Sequence, residues 1–405
     1  MNQKAIKYDV CIIGGAGHVG LPLAVAFACS GLKTLILDIN RDTLEKISSG
    51  VFPFQEENGD EKLREALKMG NIFCSSSPEM ISESKIVICI VGTPIDEYLN
   101  PDFKAITKVV DDYFDHFFDD QIFILRSTVY PQTTEKVRDI FKTRGKNIRM
   151  AYCPERIAEG KAFSEFENLP QIVSAFDEET LNEVSGFFSR ITKKEVIKLK
   201  PLEAELSKLF TNAWRYITFA TSNQFYMMAE NLNADFASIY KAITKDYPRT
   251  KAMPSPGFAA GPCLLKDTMQ LAAYSNNTFS LGQAAMLINE GMPKFVIDHI
   301  KNELRKKNPN ESFHGLNIGI LGMSFKAGSD DARDSLSYKL RKIAKFEFNN
   351  VLCHDPLIKD DSFVELEVLL EQSDIIIVAS PHEEYKQIEK QKYSSKTFID
   401  IWNIL

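Results

Sequence analysis

The chain has 405 residues, 44% hydrophobic and 25% charged, which is the composition of an ordinary globular protein of two or three domains and excludes a disordered or fibrous one. Acidic residues outnumber basic ones by 55 to 48, a formal charge of −7, and no basic run offsets them, which argues against a binder of nucleic-acid backbone. The seven cysteines (Cys11, Cys29, Cys74, Cys89, Cys153, Cys263, Cys353) are scattered without C-x-x-C spacing and the six histidines form no ligand pair, so neither a disulfide framework nor a metal site is expected.

Met1 to Asp9 carries two lysines ahead of a short apolar run, Val10 to Ile13, too short for a signal-peptide core. No stretch reaches the roughly twenty apolar residues of a membrane span. A cytoplasmic protein with no membrane partner is expected.

In chain order, Tyr8 to Ile13, Thr34 to Leu37, Ile86 to Val91 and Ile122 to Leu125 are apolar runs separated by helical patterns. Such alternation predicts βαβ units and a parallel sheet buried on both faces. Arg149 to Tyr152, Gln171 to Ser174 and Val196 to Leu199 read as further strands of a first domain over residues 1–200. Pro201 suits a first helical position, and from there to Asn231 neither Gly nor Pro interrupts apolar residues at helical spacing: Leu206, Leu209, Phe210, Ala213, Ile217 and Ala220. This long helix opens a mainly helical region, 201–310, interrupted by a Pro and Gly loop from Pro248 to Pro262. Strand signals resume at Asn317 to Leu321, Asn350 to Leu352, Ile375 to Ala379 and Thr397 to Ile401, so residues 311–405 form a smaller α/β domain. The expected fold is α/β, with two Rossmann-like doubly wound domains joined by a long central helix.

The segment from Val10 to Gly20 ends a strand and opens a helix, with Gly15, Gly17 and Gly20 in the G-x-G-x-x-G positions and His18 and Val19 between the last two. Such glycines permit a tight turn, let a pyrophosphate approach the backbone and bring helix and strand together, while the helix N-terminus attracts the anion. Asp38 closes the next strand eighteen residues past Gly20, where a carboxylate accepts bonds from a ribose 2′-OH and repels a 2′-phosphate. Arg41 nearby suits a phosphate, but the acid favours NAD over NADP.

Cys263 stands just before a predicted helix, a setting that lowers a thiol's pKa and activates it as a nucleophile. Asp267 follows one helical turn later and is placed to hold a water or the thiol; an inert buried cysteine is the alternative. Lys208 and Asn212 share one face of the long helix as either a solvated patch or a pair of oxyanion donors. Glu155 and Glu159 follow a strand end as candidates for acid/base work or for a surface salt bridge.

Together these segments resemble the UDP-glucose/GDP-mannose dehydrogenase family of nucleotide-sugar 6-dehydrogenases, nearly end to end. The resemblance rests on the Gly15 loop, Val91-Gly-Thr-Pro94, Arg126-Ser-Thr-Val129, Cys153-Pro-Glu-Arg156 with Glu159-Gly160, Glu205-Leu-Ser-Lys-Leu209 with Asn212, Cys263 with Lys266-Asp267, and Phe325-Lys-Ala-Gly-Ser-Asp-Asp-Ala-Arg333. It implies an NAD domain, a long helix used in homodimer formation and a C-terminal domain for the nucleotide sugar. It casts Cys263 as the nucleophile, Lys208 and Asn212 as oxyanion stabilisers, Asp267 as support for the thiol, the water or Lys208, Glu155 as the acid for base or water work, and Thr128 as the residue ordering water near the nicotinamide. Thr93, Thr128, Glu159 and Arg333 become cofactor contacts, and Glu155, Lys208, Asn212, Arg249, Gly257 and Lys326 substrate contacts. The chain departs from the family's pattern at Ala259-Ala-Gly-Pro262 and Glu56-Glu-Asn-Gly59, and in the spacing of Arg249 to Cys263.

The implied reaction is four-electron oxidation of the C6 alcohol of a UDP-hexose, UDP-glucose or a UDP-N-acetylhexosamine, through a Cys263 thiohemiacetal and thioester. Two rivals stand beside it. One is a single-step NAD-dependent 3-hydroxy-acid dehydrogenase, which needs no cysteine. The other is a catalytically silent dinucleotide-binding regulator, which would lack the polar set.

Overall fold

The computed structural model describes residues 5–93, 104–259, 261–307 and 313–405; Pro94 and Ala260 of the motifs above lie outside them. The chain divides into two units, residues 1–210 and 211–405.

In the first unit β1 (Tyr8–Ile13), β2 (Thr34–Leu37), β3 (Ile72–Ser75), β4 (Ser84–Cys89), β5 (Ile122–Leu125), β6 (Arg149–Tyr152), β7 (Gln171–Ala175) and β8 (Val196–Leu199) form one sheet in the order β3-β2-β1-β4-β5-β6-β7-β8. Strand alternation divides its apolar side chains between two layers. Val10, Ile12, Ile36, Ile86, Ile88 and Ile124 face one layer with Leu23 and Phe27 of the helix Gly20–Cys29. Cys11, Ile13, Leu35, Leu37, Val87, Phe123 and Leu125 face the other with Val137 and Phe141 of the helix Thr133–Thr143. A sheet covered on both faces needs continuous apolar strands, and these runs supply them. Strand order reverses between β1 and β4, where such sheets bind ligands beyond the carboxyl ends of their strands.

Two features depart from the sequence reading. The strand β3 was not foreseen: only Ile72 of its four residues is buried, so its apolar signal is weak, as suits a sheet edge. And β7 runs antiparallel to β6, through Ala151↔Ala175 and Tyr152↔Ser174, where a uniformly parallel sheet was expected.

The helix Pro201–Asn231 is 31 residues long. Near its start, buried Glu205 accepts the amides of Gln132 (2.6 Å) and Thr134 (2.8 Å) and the Thr134 hydroxyl (2.5 Å), satisfying orphan donors at the start of the helix Thr133–Thr143.

In the second unit β9 (Asn317–Leu321), β10 (Asn350–His354), β11 (Ile375–Val378) and β12 (Thr397–Ile399) form a parallel sheet in the order β10-β9-β11-β12, with its reversal between β9 and β11. The helix Leu264–Tyr274 and the helix Ser280–Lys307 precede it. Among the described residues no helix is long and apolar enough to cross a membrane.

Candidate active site

Beyond β1 the glycine positions differ in kind. A Cβ on Gly20 would stand 2.4 Å from the Gly14 carbonyl oxygen and 2.7 Å from Gly15 Cα, so helix and loop touch only because none exists. At Gly17 the nearest atom to such a Cβ is 3.6 Å away, leaving the outer side of the loop open to a ligand. The Asp38 carboxylate accepts the Ala16 amide at 3.1 Å and the Asn40 amide at 3.0 Å, which fixes it beside the loop and leaves two of its acceptor positions for a ribose diol. His18 stacks on Phe54 with centroids 4.1 Å apart, Val19 precedes the helix, and exposed Arg41 opens the helix Arg41–Ser48 beside a cleft that includes Ser75 and Ser76. These residues fit a dinucleotide pyrophosphate and its adenosine ribose.

The ends of β4 and β5 are stitched together. The Ser127 hydroxyl donates to the Val91 carbonyl (2.7 Å) and accepts its amide (2.9 Å), and the Thr93 hydroxyl donates to the Thr128 carbonyl at 2.7 Å. Behind them lies Arg126, whose side chain is 0% exposed. It donates through Nε (2.9 Å) and Nη2 (2.5 Å) to Glu155, and to the Cys153 carbonyl (3.1 Å) and Gln171 (3.2 Å). The other Glu155 oxygen accepts the amides of Arg156 (2.7 Å) and Ile157 (3.1 Å).

Two bonds on each oxygen hold the Glu155 carboxylate in a fixed orientation just after β6. Its ion pair is also buried, where a surface salt bridge was the alternative. Glu155 anchors the turn leading to Glu159. Glu56, from the departing Glu56-Glu-Asn-Gly59 segment, accepts the amides of Gly160 (3.0 Å) and Ala162 (2.7 Å) and holds the far side of that turn.

In the second unit, Cys263 is exposed and occupies the N-cap position of the helix Leu264–Tyr274. Asp267, fully buried, donates its amide to the Cys263 carbonyl (3.0 Å), while its carboxylate accepts Asn212 Nδ2 at 2.5 Å and faces Lys266 Nζ at 3.3 Å. The long helix and the cysteine helix are thus tied at Asn212, one turn after Lys208.

Buried Asn223 holds the approach to Cys263, accepting the Gly257 amide (2.8 Å) and donating to the Gly257 carbonyl (3.0 Å) and to Asn289 (2.9 Å), which donates to the Tyr216 carbonyl (3.0 Å). Gly257 lies so close to Trp402 that a Cβ would fall 2.3 Å from the indole. Arg249 is exposed and donates to the Tyr247 hydroxyl at 2.7 Å.

Lys326 sits in the loop after β9, where the sheet order reverses. Buried Asp355 accepts the amides of Met323 (2.7 Å) and Ser324 (2.9 Å) with one oxygen and those of Leu357 (2.9 Å) and Ile358 (3.0 Å) with the other, and His382 Nε2 lies 3.2 Å from it. Burial alone would raise the Asp355 pKa, but the His382 hydrogen bond and those amides outweigh it and hold the carboxyl well below its ordinary range. Arg333 is paired with Asp331 in the same loop.

Three models of one family cover most of the chain: the NAD binding domain at residues 8–192, the central domain at 202–291 and the UDP binding domain at 319–405 of the UDP-glucose/GDP-mannose dehydrogenase family. The chain belongs to that family. It is 29% identical to UDP-N-acetyl-D-mannosamine dehydrogenase of Pyrococcus horikoshii, over 96% of this chain and 94% of that one, and 26% identical to the enzyme of the same name from Methanocaldococcus jannaschii, over 100% and 94%. A solved UDP-D-ManNAc dehydrogenase from Pyrococcus horikoshii superposes with a TM-score of 0.90 at 28% identity, covering 98% of this chain and 96% of that chain.

The dinucleotide cofactor of this dehydrogenase is NAD, in keeping with the open Gly17 and the fixed Asp38. Reasoning from sequence missed the supporting roles of Arg126, Glu56, Asn223, Asn289, Asp355 and His382. Arg126 and Glu56 stood in segments already singled out, without a role, and Asn223 is a polar residue within the apolar pattern of the long helix.

Proposed function

We propose that the protein is an NAD-dependent UDP-sugar 6-dehydrogenase that oxidises the C6 alcohol of a UDP-N-acetylhexosamine, N-acetylmannosamine in first place, to the uronate. The observation that carries the reading is exposed Cys263 at a helix N-terminus whose first turn holds Asp267 bonded to Asn212. The choice of sugar follows the names of the relatives, and UDP-glucose is the comparison substrate.

NAD, when bound, supplies the hydride acceptor for both oxidations, at the Gly15 to Gly20 loop and Asp38, with Thr93, Thr128, Glu159 and Arg333 as further contacts. The Cys263 thiolate bonds to C6 of the aldehyde, holding it first as a thiohemiacetal and then, after loss of hydride, as a thioester. Water cleaves the thioester, returning the thiol and releasing the carboxylate. Lys208 and Asn212 donate to the oxyanion at each tetrahedral stage, where preorganised donors contribute most. Asp267 aims Asn212 and so acts through it, while Thr128 orders the water. Glu155 is the acid for base or water work, and its turn carries Glu159. Arg249, Gly257 and Lys326 complete the proposed sugar-nucleotide site, in a homodimer.

The test is stoichiometry with limiting substrate. Two NADH formed per UDP-N-acetylmannosamine consumed, with uronate as product, is the expected result. One NADH per sugar, with a free aldehyde or ketone, would replace this reading with a single-step dehydrogenase.

A further inference from the structure

His382 follows β11 by four residues and is buried, far in sequence from every residue assigned to the reaction above. Its ring contacts bracket Lys326. On one side Nε2 lies 2.8 Å from the Ser324 hydroxyl, which itself donates to the Lys326 carbonyl at 2.8 Å. On the other, Nδ1 accepts the Gly328 amide at 3.3 Å. With Nδ1 accepting, the neutral ring carries its proton on Nε2, shared between Ser324 and the Asp355 carboxylate at 3.2 Å. The loop is closed further by the Phe325 amide donating to the Asp331 carbonyl at 3.0 Å.

A close approach makes this possible. Gly322 has φ +90°, and a Cβ there would meet Ser380 atoms at 2.5 to 2.7 Å, so the loops after β9 and β11 touch where the sheet order reverses.

We propose that His382, seated on Asp355, is the positioning residue that sets Lys326 for nucleotide-sugar binding, acting through Ser324 before it and Gly328 after it. The inference rests on the reading of Lys326 as a ligand of the nucleotide sugar. A lysine ammonium on a flexible stem binds weakly unless its backbone is held, because ordering that stem costs entropy; two fixed points on either side of Lys326 reduce the cost.

The experiment measures UDP dissociation constants by calorimetry, and KM and kcat with UDP-N-acetylmannosamine, for Lys326→Ala, His382→Ala, His382→Gln, Ser324→Ala and the double variant Lys326→Ala/His382→Ala. His382→Ala is expected to raise the UDP Kd and the sugar KM at least tenfold, with a much smaller fall in kcat and an NAD Kd within twofold. Ser324→Ala should raise both several-fold, which covers the case of an unstable His382→Ala protein. Glutamine, able to donate and accept, should recover part of the loss. The double variant should bind no worse than Lys326→Ala, since a device that acts through the lysine has nothing left to position. Additive losses, or unchanged UDP binding in both His382→Ala and Ser324→Ala beside weakened Lys326→Ala, would overturn the inference alone. Unchanged binding in Lys326→Ala would remove the reading of Lys326 and this inference with it.

Discussion

Cys263 is exposed, whereas burial raises the thiols of Cys89 and Cys153 to about 12 and those of Cys29 and Cys353 to about 11, pushes Cys11 higher still, and raises Cys74. Thiolate is the reactive form, so iodoacetamide at pH 8 is expected to modify Cys263 first among the seven, with mass mapping of the alkylated peptide as the check. Faster labelling of a strand cysteine would contradict the burial of the sheet. Cys263→Ala should lower kcat by a thousandfold or more, about 4 kcal/mol of barrier, with little change in NAD binding. Turnover within about tenfold of the parent would make the thiol structural. Asp38 poses a separate question of coenzyme choice. Its carboxylate should keep NADP the poorer coenzyme, and Asp38→Ala should narrow the ratio of kcat/KM between the two. Equal ratios in the unmutated enzyme would remove Asp38 from that role.

Between residue and domain, loops are held by single buried polar groups. Arg126 donates four hydrogen bonds at the end of β5, and its guanidinium lies 4.8 Å from the Phe188 ring. Arg126→Met would leave Glu155 an uncompensated buried carboxylate, an expected loss of about 3–5 kcal/mol in urea unfolding. Adding Glu155→Gln should restore part of it, and a neutral single variant would show that the pair contributes nothing net.

In the second unit Asp355 plays the corresponding part, and its titration has a definite sign. Its folded pKa lies below the ordinary 3.8, so the stability it contributes is present above that value and is lost as pH falls through the folded value. Unfolding free energy should therefore fall more steeply from pH 5 to pH 3 in the parent than in Asp355→Asn. Parallel pH profiles would show that the carboxylate does not carry this dependence.

Over the whole molecule the outstanding feature is the surface of the long helix. It carries aromatic and apolar residues over much of its surface, and only part of them is buried within the chain: Tyr216 and Tyr226 are, whereas Phe210 is 57%, Trp214 68%, Phe225 44% and Met228 55% exposed. At 100° per residue these four fall within about 60° of one another, a single apolar stripe along the helix. A self-complementary stripe of this kind suits a two-fold partner, and a homodimer is the proposed state. Light scattering at micromolar concentration should report twice the monomer mass, and Trp214→Glu should shift it toward one. A monomeric parent would reject the proposal.

Strand existence and the dinucleotide loop were legible in the chain because both are local. Buried parallel strands need unbroken apolar runs, and a glycine loop between strand and helix has its own spacing; β1, β2, β5, β6, β8 and β9 keep the limits read from those patterns. Edge strand β3 lacked that pattern, and the reversal of β7 depends on a pairing partner that no local pattern names. The roles of polar residues were the least legible. That Glu155 meets Arg126, Asp267 meets Asn212 and His382 meets Ser324 depends on groups brought together from 29, 55 and 58 residues away. Hydrogen bonds are short-ranged and directional, so only the folded chain decides which donors reach which acceptors.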